Sequence, residues 1–232
     1  MSAKTLLKSL VKRSSRKAVV FSLFGLSSFA VASPSFAASV NLSNFTSSGD
    51  VGNVTPSQAT LTNAIRGGGD DVINPNNIVN VSGVEPTEIG ALETFLGVSQ
   101  GFLGNDPGSN ATQGSAIRTS TPLSFLAGDA FSFDYNFVTN DTPGFDRAFV
   151  TIGSLPRFDL LQGSNSFNYT FTTASNSNIG IGVVDVNDTV VSSRLSVANA
   201  NIQPVPEPLT ILGSGIAAGF GVMLKRKQAK KA

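Results

Sequence analysis

The 232-residue chain contains no cysteine, no histidine and no tryptophan. Without cysteine there is no disulfide framework, no catalytic thiol and no cysteine-bound zinc. Without histidine the chain lacks the residue that most often serves as a general base and as a neutral metal ligand. The chemistries that remain are those of carboxylates, of serine with an unusual base, and of metal ions bound by oxygen. We therefore predict that the protein is not an enzyme.

Lysine is absent from residues 38–208, which hold five arginines and all fifteen acids of the chain. The first 37 residues carry six basic residues and the last 24 carry five, and neither segment contains an acid. The overall charge of +1 therefore conceals an acidic body between two basic ends. Asymmetry of this kind is typical of termini that membrane machinery reads, and an acidic body without lysine argues against nucleic-acid binding.

The N-terminus has the three-part pattern of a secretory signal peptide. Basic residues precede a 15-residue apolar run at 18–32, and small residues at Ser35 and Ala37 predict cleavage between Ala37 and Ala38. The run is shorter than the ~20 residues that span a bilayer, which disfavours a permanent anchor. We predict a signal peptide over 1–37 that directs the protein to the secretion translocon and is removed by signal peptidase.

The C-terminus carries a second membrane signal. The tripeptide Pro206-Glu207-Pro208 precedes a glycine-rich apolar stretch at 209–224. A basic cluster follows, made of Lys225, Arg226 and Lys227, and the tail 225–232 contains no acid. The apolar stretch predicts a transmembrane helix, and the positive-inside rule predicts that the tail stays in the cytoplasm. The chain would thus be held in the inner membrane by its C-terminal helix.

This arrangement resembles the PEP-CTERM sorting signal of Gram-negative bacteria, including cyanobacteria. The resemblance covers residues 204–232, with the motif at 205–208. It implies that an exosortase, a membrane-embedded transpeptidase-like enzyme, recognises the tripeptide and removes the helix. The implied destination is the cell surface, the outer envelope or the extracellular matrix.

The exported body, residues 38–203, is rich in Ser, Thr, Asn and Gly. Residues 131–137 alternate strictly, with four aromatic rings on one face and Ser, Asp and Asn on the other, which is typical of a half-buried strand. Similar segments, separated by Pro and Gly turn signals, predict about seven strands between residues 115 and 198. Residues 87–96 have helical spacing, with Gly97 as the stop. We predict a mainly β fold: an antiparallel β-sandwich or jelly roll with one short helix.

A second resemblance covers the middle of the body. The segments ETFLGVSQGFLG (93–104), ATQGSAI (111–117), AGDAFSFDYNFVTND (127–141) and FDRAFVTI (145–152) resemble a β-rich domain of many cyanobacterial exported proteins that carry this sorting tail. The resemblance implies no enzymatic activity. Asp141 stands where those proteins tend to have glutamate.

Four oxygen-bearing side chains lie on or just after the aromatic strand: Asp134, Asn140, Asp141 and Asp146. Oxygen ligands on a loop suit Ca²⁺, so these residues are candidate ligands of a calcium site. Asp and Asn also favour turns for conformational reasons alone, and that alternative stays open. Asp134 and Asp146 are in addition a candidate acid and base pair for sugar hydrolysis.

Three functional hypotheses follow from these features. The leading one is a non-enzymatic exported protein, sorted by an exosortase and forming part of the envelope or of the extracellular polymeric matrix. The alternative is a calcium- or carbohydrate-binding adhesion module, whose hydroxyl- and amide-rich surface would contact exopolysaccharide. The third is a carboxylate-dependent hydrolase.

Overall fold

The computed structural model describes residues 37–67, 78–104, 109–141 and 146–205. Within them the backbone forms fourteen strands, one α-helix (α1, Ile89–Leu96) and one 3-10 helix (Leu42–Asn44). The predicted signal peptide up to residue 36, the sorting tripeptide, the membrane helix and the basic tail lie outside the described residues. In chain order the strands are β1 (Ala38–Ser39), β2 (Phe45–Ser48), β3 (Asp50–Gly52), β4 (Gln58–Thr62), β5 (Thr87–Glu88), β6 (Ala111–Thr119), β7 (Leu123–Phe125), β8 (Ala130–Thr139), β9 (Arg147–Ile152), β10 (Phe158–Leu160), β11 (Gly163–Thr170), β12 (Ser175–Ser177), β13 (Ile179–Val186) and β14 (Ser193–Gln203).

Twelve of these strands form two antiparallel sheets. Sheet A has the order β11-β8-β14-β4-β3, with β1 also paired to β14. Sheet B has the order β10-β9-β13-β6-β2, with β5 also paired to β6, and β7 and β12 form a separate two-stranded sheet. Most neighbours within a sheet are distant in sequence, because the chain crosses repeatedly from one sheet to the other. This is the arrangement of a β-sandwich, and the predicted fold class is confirmed.

The core lies between the two sheets and is built from alternating residues. In β8, Phe131, Phe133, Tyr135 and Phe137 are buried, as the alternation of the sequence predicts. They belong to one apolar cluster with residues of sheet B such as Ile181. Burying a large apolar side chain contributes ~1.5–3 kcal/mol, so these four positions are a main source of the stability of the sandwich.

The chain passes from sheet B into sheet A at Gly49, between β2 and β3. Gly49 has a φ of 82°, in the left-handed region that favours glycine. A Cβ at this position would lie 2.6 Å from the carbonyl oxygen of Gly114 in β6. Both the backbone conformation and the lack of space for a Cβ require glycine here. Gly49 thus allows one stretch of chain to contribute β2 to sheet B and β3 to sheet A.

The predicted helix begins two residues later than the sequence pattern suggests. Thr87 and Glu88 pair with β6 instead, so α1 starts at Ile89. It ends as predicted at Gly97, whose φ is 73° and whose N–H donates to the carbonyl of Thr94 at 3.1 Å. The helix packs on the outer face of sheet B.

The two sheets consequently differ in their outer faces. On sheet B, Leu92 and Leu96 of α1 form a second apolar cluster with Phe149 and Val184, and all eight residues of β13 are buried. On sheet A, the outward side chains in the middle of β8 and on β11, such as Asp134, Asn136, Ser164 and Ser166, are polar and at least partly exposed. The outer face of sheet A is therefore the place where polar side chains are available to a ligand.

Candidate functional site

The polar face is the central part of the outward side of sheet A, where β4, β8, β11 and β14 lie side by side. The strand register arranges its side chains in two rows that cross all four strands. The first row contains Ser166, Asp134, Ala198 and Gln58, and the second contains Ser164, Asn136, Ser196 and Thr60. Together they line an open depression of about 580 Å³. Because side chains alternate along a strand, the same strands that bury aromatic residues inward present this polar surface outward.

Asp134 is an exposed carboxylate held in one orientation by both neighbouring strands. The hydroxyl of Ser166 on β11 donates to its Oδ1 at 2.7 Å, and the Nδ2 of Asn199 on β14 donates to its Oδ2 at 2.9 Å. The hydrogen bond from Asn199, followed by that from Ser166, lowers the pKa of Asp134 below its ordinary value. The polar face therefore carries a fixed, ionised hydrogen-bond acceptor.

An irregularity in β14 places Asn199 next to Asp134. The register between β14 and β8 shifts between Ala198 and Asn201, as in a β-bulge. Asn199 has a φ of 54°, a left-handed conformation that asparagine tolerates better than most residues. Its backbone N–H donates to the carbonyl of Ser57 at 2.9 Å, which fixes the bulge. Bulges are common where a strand must redirect a side chain, and here the redirected group is the amide that orients Asp134.

The structure does not bring the four candidate calcium ligands together. Asp134 lies in the middle of β8, whereas Asn140 and Asp141 directly follow that strand. Asp146 precedes β9 and accepts a hydrogen bond from Ser193, which lies beside the last residue of β8. The part of β8 beyond Asp134 spans ~17 Å of extended chain. Asp134 is therefore remote from Asp146, and the two acids do not form a pair suited to sugar hydrolysis.

Asp146 belongs to a buried polar cluster where the two sheets meet. Its Oδ2 accepts hydrogen bonds from Asn63 Nδ2 at 3.1 Å and from the hydroxyl of Ser193. The residue is 8% exposed, and its Oδ1 has no hydrogen-bond partner among the described residues. Burial, with a smaller contribution from the charge of Asp141, raises the pKa of Asp146 to about 7. This carboxyl therefore changes its charge near neutral pH.

The amide of Asn63 bridges two acids in this cluster. Its Nδ2 donates to Asp146 and also to Oδ1 of Asp185, whose Oδ2 accepts from Gln113 at 2.8 Å. Within the described ranges, no group of three or more acidic side chains is placed to hold a metal ion. The calcium hypothesis for Asn140, Asp141 and Asp146 stays a prediction.

The residues at the ends of the body have simpler surroundings. Ala37 is exposed and Ala38 begins β1, so the predicted signal-peptide cleavage site directly precedes the first strand. In the part of the chain that the structure describes, no helix has both the length and the apolar character needed to cross a bilayer.

Comparison with known proteins gives distant likenesses among solved structures. The chain matches no protein-family model and no curated protein. Among solved structures it is similar to the secreted serine protease VesC from Vibrio cholerae, with 14% identity and a TM-score of 0.30 over 43% of this chain and 22% of that chain. It is also similar to the C-terminal CBM6 of LamC from Zobellia galactanivorans, with 10% identity and a TM-score of 0.24 over 38% of this chain and 76% of that chain. The chain spans less than a quarter of the protease, and at these TM-scores neither likeness bears on function.

Proposed function

We propose that the sandwich is a non-catalytic carbohydrate-binding module and that the polar face is its binding surface. The observation that carries this proposal is the pair of side-chain rows across four strands, which gather hydroxyl, amide and carboxylate groups in one depression. Sugar hydroxyls both donate and accept hydrogen bonds, and this set of side chains does the same. Each oxygen of Asp134 accepts one intramolecular bond and retains a lone pair for a sugar hydroxyl.

A neutral sugar chain suits this face better than an acidic one. Among the described residues, Asp134 is the only charged one that lines the depression, and its lowered pKa keeps it ionised at neutral pH. At contact distance this charge would repel an anionic polymer bound on the polar face and leave a neutral one unaffected.

A single carboxylate in the lining supports binding without hydrolysis. Glycosidases of the common types use two carboxyl groups, ~5–10 Å apart, on either side of the scissile bond. The depression offers only Asp134, and Asp146 is buried beyond the end of the strand. The module would therefore hold a polysaccharide and leave it intact.

Affinity electrophoresis of the full chain through gels that contain dextran, mannan or a neutral β-glucan tests this proposal. At least one of these polymers should retard the protein, and Asp134→Asn and Asn136→Ala should each weaken the retardation about tenfold or more, since each removes hydrogen bonds to the ligand. Asn168→Ala is the matched control, because Asn168 is exposed on β11 but does not line the depression. Equal retardation of Asn136→Ala and the parent protein, or no retardation by any of the polymers, would contradict the proposal.

We also propose that the module is exported and sorted as its termini suggest, with a transient inner-membrane anchor before it reaches the cell surface or matrix. The limits of the sandwich support this proposal. Its first strand begins at Ala38, directly after the predicted cleavage site, and its last strand ends at Gln203, just before the sorting motif. Ala38 pairs with Ile202, so the two ends of the sandwich lie side by side.

The mass and compartment of the protein in its own cell test this second proposal. Replacing Pro206-Glu207-Pro208 with alanines should leave protein that retains its C-terminal helix in the inner membrane. Pro204→Ala is the matched control, since it removes a neighbouring proline outside the tripeptide. Unchanged mass and location of the triple variant would exclude sorting through this motif.

A further inference from the structure

A second depression lies on the opposite side of the sandwich, where α1 ends against sheet B. Its volume is about 400 Å³, within the ~300–1,000 Å³ that is usual for small-molecule sites. The residues of its lining that matter here are Gly97, Ser99, Phe102, Arg118 and Ser154. Arg118 is the only charged residue in its lining, as far as the described part of the chain is concerned. The depression is thus locally positive in an otherwise acidic body.

Only some of the N–H donors of the Arg118 guanidinium form hydrogen bonds within the described part of the protein. Its Nη1 donates to the carbonyl of Phe95 at 2.8 Å, which ties the end of α1 to β6. Its Nη2 donates at 2.7 Å to the side-chain oxygen of Asn178, with that amide turned to face it. Its Nε is buried and has no partner among the described residues. Both groups that accept from Arg118 are neutral, so no counter-ion balances the charge.

Two other arginines of the body, unlike Arg118, lie close to a carboxylate. Arg157 forms a salt bridge with Asp159, with 2.6 Å between Nε and Oδ1. The Nε of Arg147 lies 3.8 Å from the same carboxylate. In the described part of the chain, Arg118 has no such ion pair, and a half-buried cation without a partner is costly. An anionic ligand would supply the missing partner.

The end of α1 leaves room beside the guanidinium. A Cβ at Gly97 would lie 3.0 Å from Nη2 of Arg118, so any other residue would press against the charged group. Ser99 and Ser154 are exposed at the rim, and Phe102, which also lines the depression, is partly buried and packs against the apolar cluster under α1. The charged, hydroxyl-bearing and aromatic groups that line the depression are those that recognise a sugar acid.

We propose that this depression binds the carboxylate of an acidic sugar, a uronate residue, through Arg118. The planar guanidinium matches a carboxylate in shape and charge, the rim serines bond to the ring hydroxyls, and the ring of Phe102 covers an apolar face of the sugar. The choice of a sugar rests on the proposed function, whereas the choice of a carboxylate rests on Arg118 alone. The acidic surroundings do not prevent binding, because ions screen repulsion beyond ~8 Å at physiological salt.

The test is an NMR titration of the full chain in a mild detergent, in which the Nε–H signals of arginine are followed. D-glucuronate should shift the Arg118 signal at a concentration at least about tenfold lower than acetate or inorganic sulfate does, and D-glucose should not shift it. Arg118→Gln lacks the Arg118 signal and is followed instead through the backbone amides of the lining residues, which D-glucuronate should no longer shift. Ser154→Phe should also abolish binding by filling the rim without touching the contact between Arg118 and α1. Arg66→Gln is the matched control, since Arg66 is exposed and does not line this depression.

Three results would overturn the proposal: no shift with D-glucuronate, equal potency of acetate or sulfate, or unchanged binding in Ser154→Phe. Asp134→Asn separates this proposal from the proposed function. It should weaken retention by a neutral polysaccharide and leave the glucuronate titration unchanged. Glucuronate binding in a protein that no neutral polymer retards would refute the polar-face proposal and support this one.

Discussion

Sheet A and sheet B contribute six strands each to the same core, yet sheet A keeps a polar outer face and sheet B is covered by α1. In β8, buried aromatic residues alternate with polar ones, whereas β13 is buried throughout. A strand that is buried on both faces is constrained by packing at every position. On a strand with one solvated face, alternate positions are available for binding a ligand. The polar face is the product of that difference.

The largest expected loss of stability comes from truncating a side chain through which α1 packs on sheet B. Leu92 of α1 is fully buried, so Leu92→Ala should lower the free energy of unfolding by ~3–5 kcal/mol. Ser164→Ala, on the polar face, should change it by no more than ~0.5 kcal/mol. Urea denaturation of both variants measures the contrast. Equal losses of unfolding free energy in the two variants would show that the outer faces of sheets A and B do not differ in their contribution to stability.

The next expected change in stability depends on pH and concerns two carboxylates, Asp146 next to sheet B and Asp134 in sheet A. Asp146, before β9, has its pKa raised from an ordinary 3.8 to about 7. Between these values the native state binds a proton that the unfolded state has lost, so stability falls as pH rises through this window. Because asparagine cannot ionise, the free energy of unfolding of Asp146→Asn should equal that of the parent near pH 4. At pH 9 the variant should be more stable by up to ~4 kcal/mol.

For Asp134 we expect a pH dependence of stability in the opposite direction. Its pKa is lowered, so its ionised form is favoured in the native state, and its contribution is present above about pH 4 and lost on acidification. Asp134→Asn should thus be slightly less stable than the parent at neutral pH and equal to it in acid. Thermal denaturation between pH 3 and pH 9 compares the two variants. Parallel curves for Asp146→Asn and the parent would mean that Asp146 does not titrate in this window.

The third effect concerns the space under α1. A Cβ on Gly180 of β13 would lie 2.5 Å from Cδ2 of Leu96 and still closer to Oγ1 of Thr151, so Gly180→Ala should cost ~1–3 kcal/mol by displacing both side chains and with them α1. Ala198→Val, which adds volume on the open polar face, should cost less than ~0.5 kcal/mol. Thermal unfolding distinguishes them. A fully tolerated Gly180→Ala would show that α1 is not closely packed on sheet B.

Strong local patterns predicted the parts of the fold that depend on one segment. The alternation in residues 131–137 predicted β8, and the spacing before Gly97 predicted α1. Strands β1 to β5 have two to five residues each and carry no alternating or helical pattern long enough to predict them from the sequence. Their pairing depends on partners elsewhere in the chain, as Gly49 illustrates by joining β2 in sheet B to β3 in sheet A.

The candidate sites were harder to predict, because they depend on register. The sequence singled out Asp134 but assigned it to a calcium site with residues that follow β8. Its actual partners, Ser166 and Asn199, are 32 and 65 positions away in the chain. Arg118 gave no signal in the sequence, since its lack of a counter-ion appears only when α1 and β6 are brought together. The polar composition of the body predicted a hydrogen-bonding surface but not its position.

The most direct test of the polar face is to map where a neutral sugar binds. Backbone amide shifts of the full chain would be recorded during titration with an oligosaccharide of the polymer that retards the protein most. We expect shifts at the outward residues of β4, β8, β11 and β14, centred on Asp134 and Asn136, and none in α1. Shifts centred on α1 or on the sandwich edges, with the polar face unchanged, would contradict this expectation.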